Sequence, residues 1–215
     1  MSSGAPESGP AAAVRAGLEH RLGLRHPRRV EDADIGSRAA VVLLLRPPGP
    51  VATVDELEGL FVQRAEIEGD PWSGHMALPG GRHDPADPDM AATALRELGE
   101  ETGLVLERSA LLGRLDDVHP RSHRLPSIAV TPFVGWAGAP GSVVENAELA
   151  GHVWVPVRAL RAPGRRSTLR LEREGALRVF PAIEYEGRTI WGLTYRIVRE
   201  FLERITTGGR GPIDG

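Results

Sequence analysis

The sequence predicts an α+β fold, an α/β/α sandwich in which helices cover both faces of a mixed β-sheet core. Short β-branched and leucine-rich runs recur at strand length, as at residues 39–45 and 128–136. Segments with apolar residues at helical spacing lie before, between and after those runs. The most distinctive of them is a Glu-rich helix entered through a Gly-Gly turn.

The elements follow in chain order. Residues 1–12 are small, polar and Pro/Gly-rich and are expected to be a disordered lead. Residues 13–35 form an N-terminal helix and linker, with Val14, Leu18 and Leu22 spaced as one helical stripe. The main domain spans 36–206, and 207–215 is a Gly-rich flexible tail. Its strands are expected at 39–45, 57–64, 75–78, 111–116, 128–136 and 152–155. Residues 180–185 and 189–191 form a hairpin across Glu186-Gly187, and the last helix runs over 193–205. In the Glu-rich helix Asp87 is the expected N-cap, with Pro88 at the first helical position and Gly103 ending it after Thr102. Its expected buried stripe is Ala91, Leu95, Leu98 and Thr102, which leaves Glu97 and Glu101 facing away from the core. Trp136, Trp154 and Trp191 sit inside apolar runs and are expected in the core.

At 215 residues the chain suits one full domain with at most a small appendage. Its net charge of −3 gives no global pull toward nucleic acid or membrane. The absence of cysteine excludes disulfides, thiol catalysis and zinc–thiolate sites, and fits a reducing compartment. No apolar run reaches the roughly 18 residues of a membrane helix. The start lacks the layout of a signal peptide. A cytoplasmic protein is expected, with no nucleic-acid or membrane partner and with a homodimer left open. All 26 basic residues are arginine, which fits an arginine-biased genome better than dedicated phosphate binding.

Glu97 and Glu101 are four residues apart on one helical face, and Glu100 sits at its edge. Three carboxylates that close repel one another unless a cation lies among them. Hard cations such as Mg²⁺ take oxygen ligands and work together with substrate phosphates. A metal-dependent site for a phosphate ester or anhydride is the economical reading. The competing reading, a solvated acidic face, weakens once Gly80-Gly81, Arg96 and Gly103 are in register with the acids. Asp84, Asp87 and Asp89 suit turn formation and capping, a reading favoured for Asp84 and Asp87. His119 and His123 make a poor metal pair, because Pro120 disfavours a helix there. Arg121 and Arg124 could hold a second phosphate or simply be solvated. Trp72 could stack on a base or pack.

The segment Arg96-Glu97-Leu98-Gly99-Glu100-Glu101-Thr102-Gly103-Leu104 resembles the second half of the Nudix box in full. The first half departs: Asp87 stands six residues after Gly81 where glutamate is usual, and the loop carries one extra residue before Arg96. The resemblance covers roughly residues 36–205 and implies a Nudix-type α/β/α sandwich. It also implies Mg²⁺ (or Mn²⁺) on Glu97, Glu100, Glu101 and the Gly80 carbonyl. Water then attacks one phosphorus of a diphosphate substrate. A carboxylate is the base, Glu100 first and Glu148 second, and Arg96 is a scaffold that orients carboxylates.

The Gly80 to Asp89 loop, Gln63-Arg64, Asn146-Ala147-Glu148-Leu149 and Ile190-Trp191-Gly192-Leu193-Thr194 resemble the coenzyme A pyrophosphatase branch of that family. This implies a small-molecule diphosphate substrate, coenzyme A or an acyl derivative, bound with help from Arg64, Arg82, Arg121 and Arg124. The alternatives are an ADP-ribose, dinucleotide or nucleotide-sugar pyrophosphatase, and a non-catalytic nucleotide-binding module. Ala65 and the acidic stretch 66–70 depart from the branch, which has a serine after the arginine and a basic approach.

Overall fold

The computed structural model describes residues 9–31, 35–66, 74–120, 127–138, 141–173 and 176–206. Helix α1 covers Pro10–Gly23, so it begins inside the segment expected to be a disordered lead. Strands β1 (Ser37–Arg46), β2 (Glu58–Arg64), β3 (Met76–Ala77) and β4 (Gly80–Arg82) lead into helix α2 (Met90–Thr102). Then come β5 (Leu111–Arg114), β6 (Ile128–Trp136), β7 (Leu149–Pro156) and the short helix α3 (Val157–Arg161). The chain closes with β8 (Arg166–Arg173), β9 (Ala176–Tyr185), β10 (Arg188–Trp191) and helix α4 (Gly192–Thr206).

The main sheet is mixed, as expected. β1 runs parallel to β6 from Ser37↔Ile128 to Leu45↔Trp136, and β5 continues antiparallel beyond β6. β2 meets β1 only at Leu45↔Gly59 and Arg46↔Glu58, then diverges from it. β7 lines the other edge of β2. The gap between β1 and β2 is filled by β4, paired with β1 at Ala39–Val41, and by β3, paired with β2 at Val62 and Gln63. This wedge places Gly80 and Gly81 between the two diverging strands. A second sheet, β10-β9-β8, contains the expected hairpin.

β1 is buried on both faces, which is why it reads as a continuous apolar run and not an alternating one. Ala40, Val42 and Leu44 pack with Leu60 against Ala94 and Leu98 of α2. Leu43 and Leu45 face the other way, with Phe61, Val134 and Trp136, against Val14, Leu18 and Leu22 of α1 and Val198 and Phe201 of α4. Each fully buried side chain of this size contributes about 1.5–3 kcal/mol. Among the described residues no helix is long and apolar enough to cross a membrane.

Several expectations need correction. The N-cap of α2 is Asp89, whose side chain accepts from the N–H groups of Ala91 and Ala92. Asp87 is instead drawn to Arg96, an ion pair at 3.0 Å. The buried face of α2 includes Thr93, Ala94 and Glu101, while Leu95 is only half-buried. Glu101 does not face away from the core; it is 3% exposed. Of the three tryptophans only Trp136 is core. Trp154 and Trp191 are half-buried because their strands lie at sheet edges. The Arg46 guanidinium covers Trp154 at 3.9 Å, and His75 and Phe180 flank Trp191 at 4.6 and 5.4 Å. The short β4, helix α3 and strand β8 are additions to the expected elements.

Candidate active site

The site is assembled where the β4 turn meets the C-terminal half of α2. Gly80 has φ 149°, in the left-handed region, and a side chain there would collide with the Ala40 carbonyl and Val41. A side chain on Gly81 would collide with the carboxylate of Glu97. Glycine at both positions therefore lets the backbone lie directly against the acids. The Gly80 N–H donates to Glu101 Oε2 at 2.9 Å.

Burial dominates the electrostatics. It pushes the Glu101 carboxyl up to about 7, more than the Gly80 hydrogen bond and the charge of Arg64 pull it down, and Glu97 and Glu148 add to the rise. Glu97 is raised as well, chiefly by burial and against the pull of Arg96, with Glu100 and Glu148 adding. Glu148, just before β7, thus lies close enough to act on both acids. Arg96 is the local counter-charge, with Nη1 2.9 Å from Glu97 Oε1 and 3.0 Å from Glu100 Oε2. Arg96 is anchored from behind. Its Nε and Nη2 donate to Asp87, its Nη2 also donates to the Arg82 carbonyl, and Asp87 accepts from Thr93 Oγ1, which contacts His83 Nδ1. The arginine holds the Asp87 carboxyl down at about 2.

The structure brings Glu97, Glu101, Glu148, Arg96, Arg64 and Gly80 together. Glu100 stands at the rim, 57% exposed on Arg96. The side chain of Arg82 is exposed at the outer end of β4. Arg121, Arg124, His123, Trp72 and residues 67–70 of the acidic stretch lie outside the described residues. The Asp87–Arg96 anchor has no signal in the sequence, since an aspartate before a proline reads first as a cap. Asn146 stands out in the sequence only within the Asn146-Ala147-Glu148-Leu149 pattern, because its bond to the Glu101 carbonyl joins residues far apart in sequence.

The donor set is all carboxylate and carbonyl oxygen, which suits a hard divalent cation. A buried carboxylate beside two others, with its proton affinity raised, is a place where a cation lowers the energy. The residues therefore fit such an ion. Among the described residues no three of them converge into a closed ligand cage as they stand. Arg96 draws Glu97 and Glu100 to itself, and Gly80 draws Glu101.

A NUDIX domain model matches residues 37–174. Proteins described as uncharacterized Nudix hydrolase NudL, from Yersinia pestis (strain Pestoides F) and Yersinia pseudotuberculosis serotype O:1b (strain IP 31758), are each 33% identical over 135 residues. The match covers 62% of this chain and 66% of theirs, just under two thirds of those relatives' own length. A MutT/nudix family protein from Enterococcus faecalis superposes with TM-score 0.54 at 17% identity, over 93% of this chain and 76% of that one. A NUDIX hydrolase from Alicyclobacillus acidocaldarius gives 0.52 at 20% identity, over 83% and 99%. At those identities the structural likeness establishes the fold alone.

Proposed function

Because the chain belongs to the Nudix hydrolase family, we propose that it hydrolyses a nucleoside diphosphate linked to another moiety, with coenzyme A or acyl-coenzyme A as substrate. The products are 3′,5′-ADP and (acyl-)phosphopantetheine. What carries this reading is the packing of Glu97 and Glu101 against the Gly80-Gly81 turn, with Glu101 buried, its carboxyl pushed up to about 7, and the charge of Glu148 adding to the rise. Nudix hydrolases generally use divalent metal ions. Here Glu97, Glu100, Glu101 and the Gly80 carbonyl would hold Mg²⁺ or Mn²⁺. When bound, the ion supplies neutralisation of the diphosphate oxygens.

The protein's own part is positioning and charge placement, which dominate phosphoryl transfer. Arg96, fixed by Asp87, sets the orientation of Glu97 and Glu100. Of the two base candidates, Glu148 is favoured over Glu100. Glu100 is engaged by Arg96 at the rim, whereas Glu148 acts electrostatically on both inner acids. Arg64 beside Glu101 suits a phosphate contact, with Arg82 and the 121–124 loop as further candidates.

The coenzyme A reading rests on the branch-like residues around the box. The presence of Ala65 and Glu66 where that branch has serine and a basic approach favours a second reading, an ADP-ribose, dinucleotide or nucleotide-sugar pyrophosphatase. Retention of all three box glutamates argues against a non-catalytic module. The test is kcat/KM for coenzyme A, 3′-dephospho-coenzyme A, ADP-ribose, a dinucleotide and a nucleotide sugar, with products identified by mass. A 3′-phosphate paired with arginine contributes roughly 1.5–3 kcal/mol, so coenzyme A should be favoured over its dephospho form by on the order of tenfold to hundredfold. Equal values for the two would remove the coenzyme A assignment, and faster turnover of ADP-ribose would install the second reading.

A further inference from the structure

The loop before β7 ties two of the acids together through one residue. The Asn146 N–H donates to the Glu101 carbonyl at 3.2 Å, in the last turn of α2. Asn146 Oδ1 accepts from the Glu148 N–H at 2.9 Å. This side-chain-to-backbone bond to the second residue on is an Asx-turn, and a Leu149 N–H to Asn146 carbonyl bond at 3.3 Å closes the same bend. The Glu148 carbonyl in turn accepts from the Ala65 N–H at 2.8 Å, next to Arg64, whose charge acts on Glu101. Hydrogen bonds thus run in sequence from Glu101 through Asn146 and Glu148 to Ala65, the residue after Arg64.

The rest of the loop is fastened independently. The Val144 N–H donates to the Thr102 carbonyl at 2.9 Å. Val144 also packs over Gly103, where an added Cβ would lie 3.3 Å from it. Glu145 Oε1 meets His152 Nδ1 at 2.6 Å. Losing the Asn146 side chain thus leaves the loop docked and the Glu148 carbonyl bonded to Ala65, and removes only the restraint on the Glu148 N–H.

We propose that Asn146 is a positioning residue that sets Glu148 in register with Glu101. This rests on the reading of Glu148 as the base. With the amide oxygen gone, the Glu148 N–H loses its acceptor and the residue samples other rotamers and backbone angles, so the carboxylate spends less time in the geometry that proton removal needs. The effect belongs to turnover and not to substrate capture.

The test compares the unmodified chain with Asn146→Ala, Asn146→Asp, Glu148→Gln and the Asn146→Ala/Glu148→Gln pair. Exchange of the Glu148 amide is followed by NMR or mass spectrometry, and kcat and KM are measured with the diphosphate that turns over fastest. Asn146→Ala should speed exchange of that amide by about tenfold or more and lower kcat by about tenfold, with KM within about twofold. Asn146→Asp, which keeps an acceptor oxygen at the same place, should restore amide protection. The double variant should be no slower than Glu148→Gln alone, because Asn146 acts through Glu148. Additive losses in the double variant, or unchanged exchange in Asn146→Ala, would overturn the assignment. Full activity of Glu148→Gln would overturn its catalytic half. If the unmodified chain hydrolyses no diphosphate, the functional reading falls, and the exchange comparison still decides whether Asn146 holds Glu148.

Discussion

Glu101 is a carboxylate whose surroundings raise its affinity for a proton. Burial raises it to about 7 from an ordinary 4.5. Glutamine in its place keeps an oxygen for the Gly80 N–H and removes the buried charge. Glu101→Gln should therefore fold and, on the proposal that Glu101 holds the charge-neutralising ion, lose at least ~10²-fold in turnover. Metal-free, its melting temperature at pH 8 should equal or exceed that of the unmodified protein. At pH 5, where the native carboxyl is already protonated, that advantage should vanish. Activity assays paired with thermal melts at the two pH values check this. More than half the activity remaining would remove Glu101 from the site, and a clear fall in metal-free melting temperature at pH 8 would make it a structural ion-pair partner.

At the scale of elements, α2 separates two aspartates that sequence alone cannot rank. Asp87 precedes a proline, the usual signature of a cap, but Asp89 performs the capping, while Asp87 reaches nine residues on to Arg96. The two roles predict different losses. Asp89→Ala should cost about 1 kcal/mol, a fall of roughly 2–4 °C in melting temperature for a chain of this size, with folded-state activity preserved. Its exposed ion pair with Arg108 adds little. Asp87→Ala should lower activity by about tenfold, because Arg96 loses its anchor and no longer holds Glu97 in a single orientation. Melts and specific activities of the two variants decide, and the opposite assignment would return the cap to Asp87. The strands were legible where apolar runs are long: β6 was foreseen at its observed bounds and β1 within two residues. α1 was legible through Val14, Leu18 and Leu22. β8 was not legible, since Leu169 and Leu171 are its only apolar residues, too few to show a strand period. β4 was not, because two glycines carry no strand signal. The burial of Glu101 was hidden for a different reason. Helical spacing gives the face on which a residue lies, but the depth of that face is set by a Gly-Gly turn packing against it.

For the molecule as a whole, folding and the site are coupled through charge. Glu101 binds its proton more tightly in the native state than in the unfolded chain, so its contribution to metal-free stability is full below about pH 4.5 and is lost as pH rises through about 7. The metal-free protein should therefore melt lower at pH 8 than at pH 5.5. A divalent cation acts in the opposite sense, because it binds the deprotonated acids of the native state and finds no such cluster in the unfolded chain. At a free concentration a hundredfold above its dissociation constant it should add about 2.7 kcal/mol, or roughly 5–11 °C. That gain should be largest at pH 8 and shrink at pH 5.5, where proton and cation compete for Glu101. The measurement is a grid of melting temperatures over pH and Mg²⁺ or Mn²⁺ concentration, repeated with Glu101→Gln. In the variant most of the metal-free decline between pH 5.5 and 8 and most of the cation's effect should disappear together, with Glu97 leaving a smaller remainder. A cation shift that survives in Glu101→Gln would place the ion elsewhere, and a metal-free melting temperature that does not fall with pH would mean that the native state does not raise the proton affinity of Glu101.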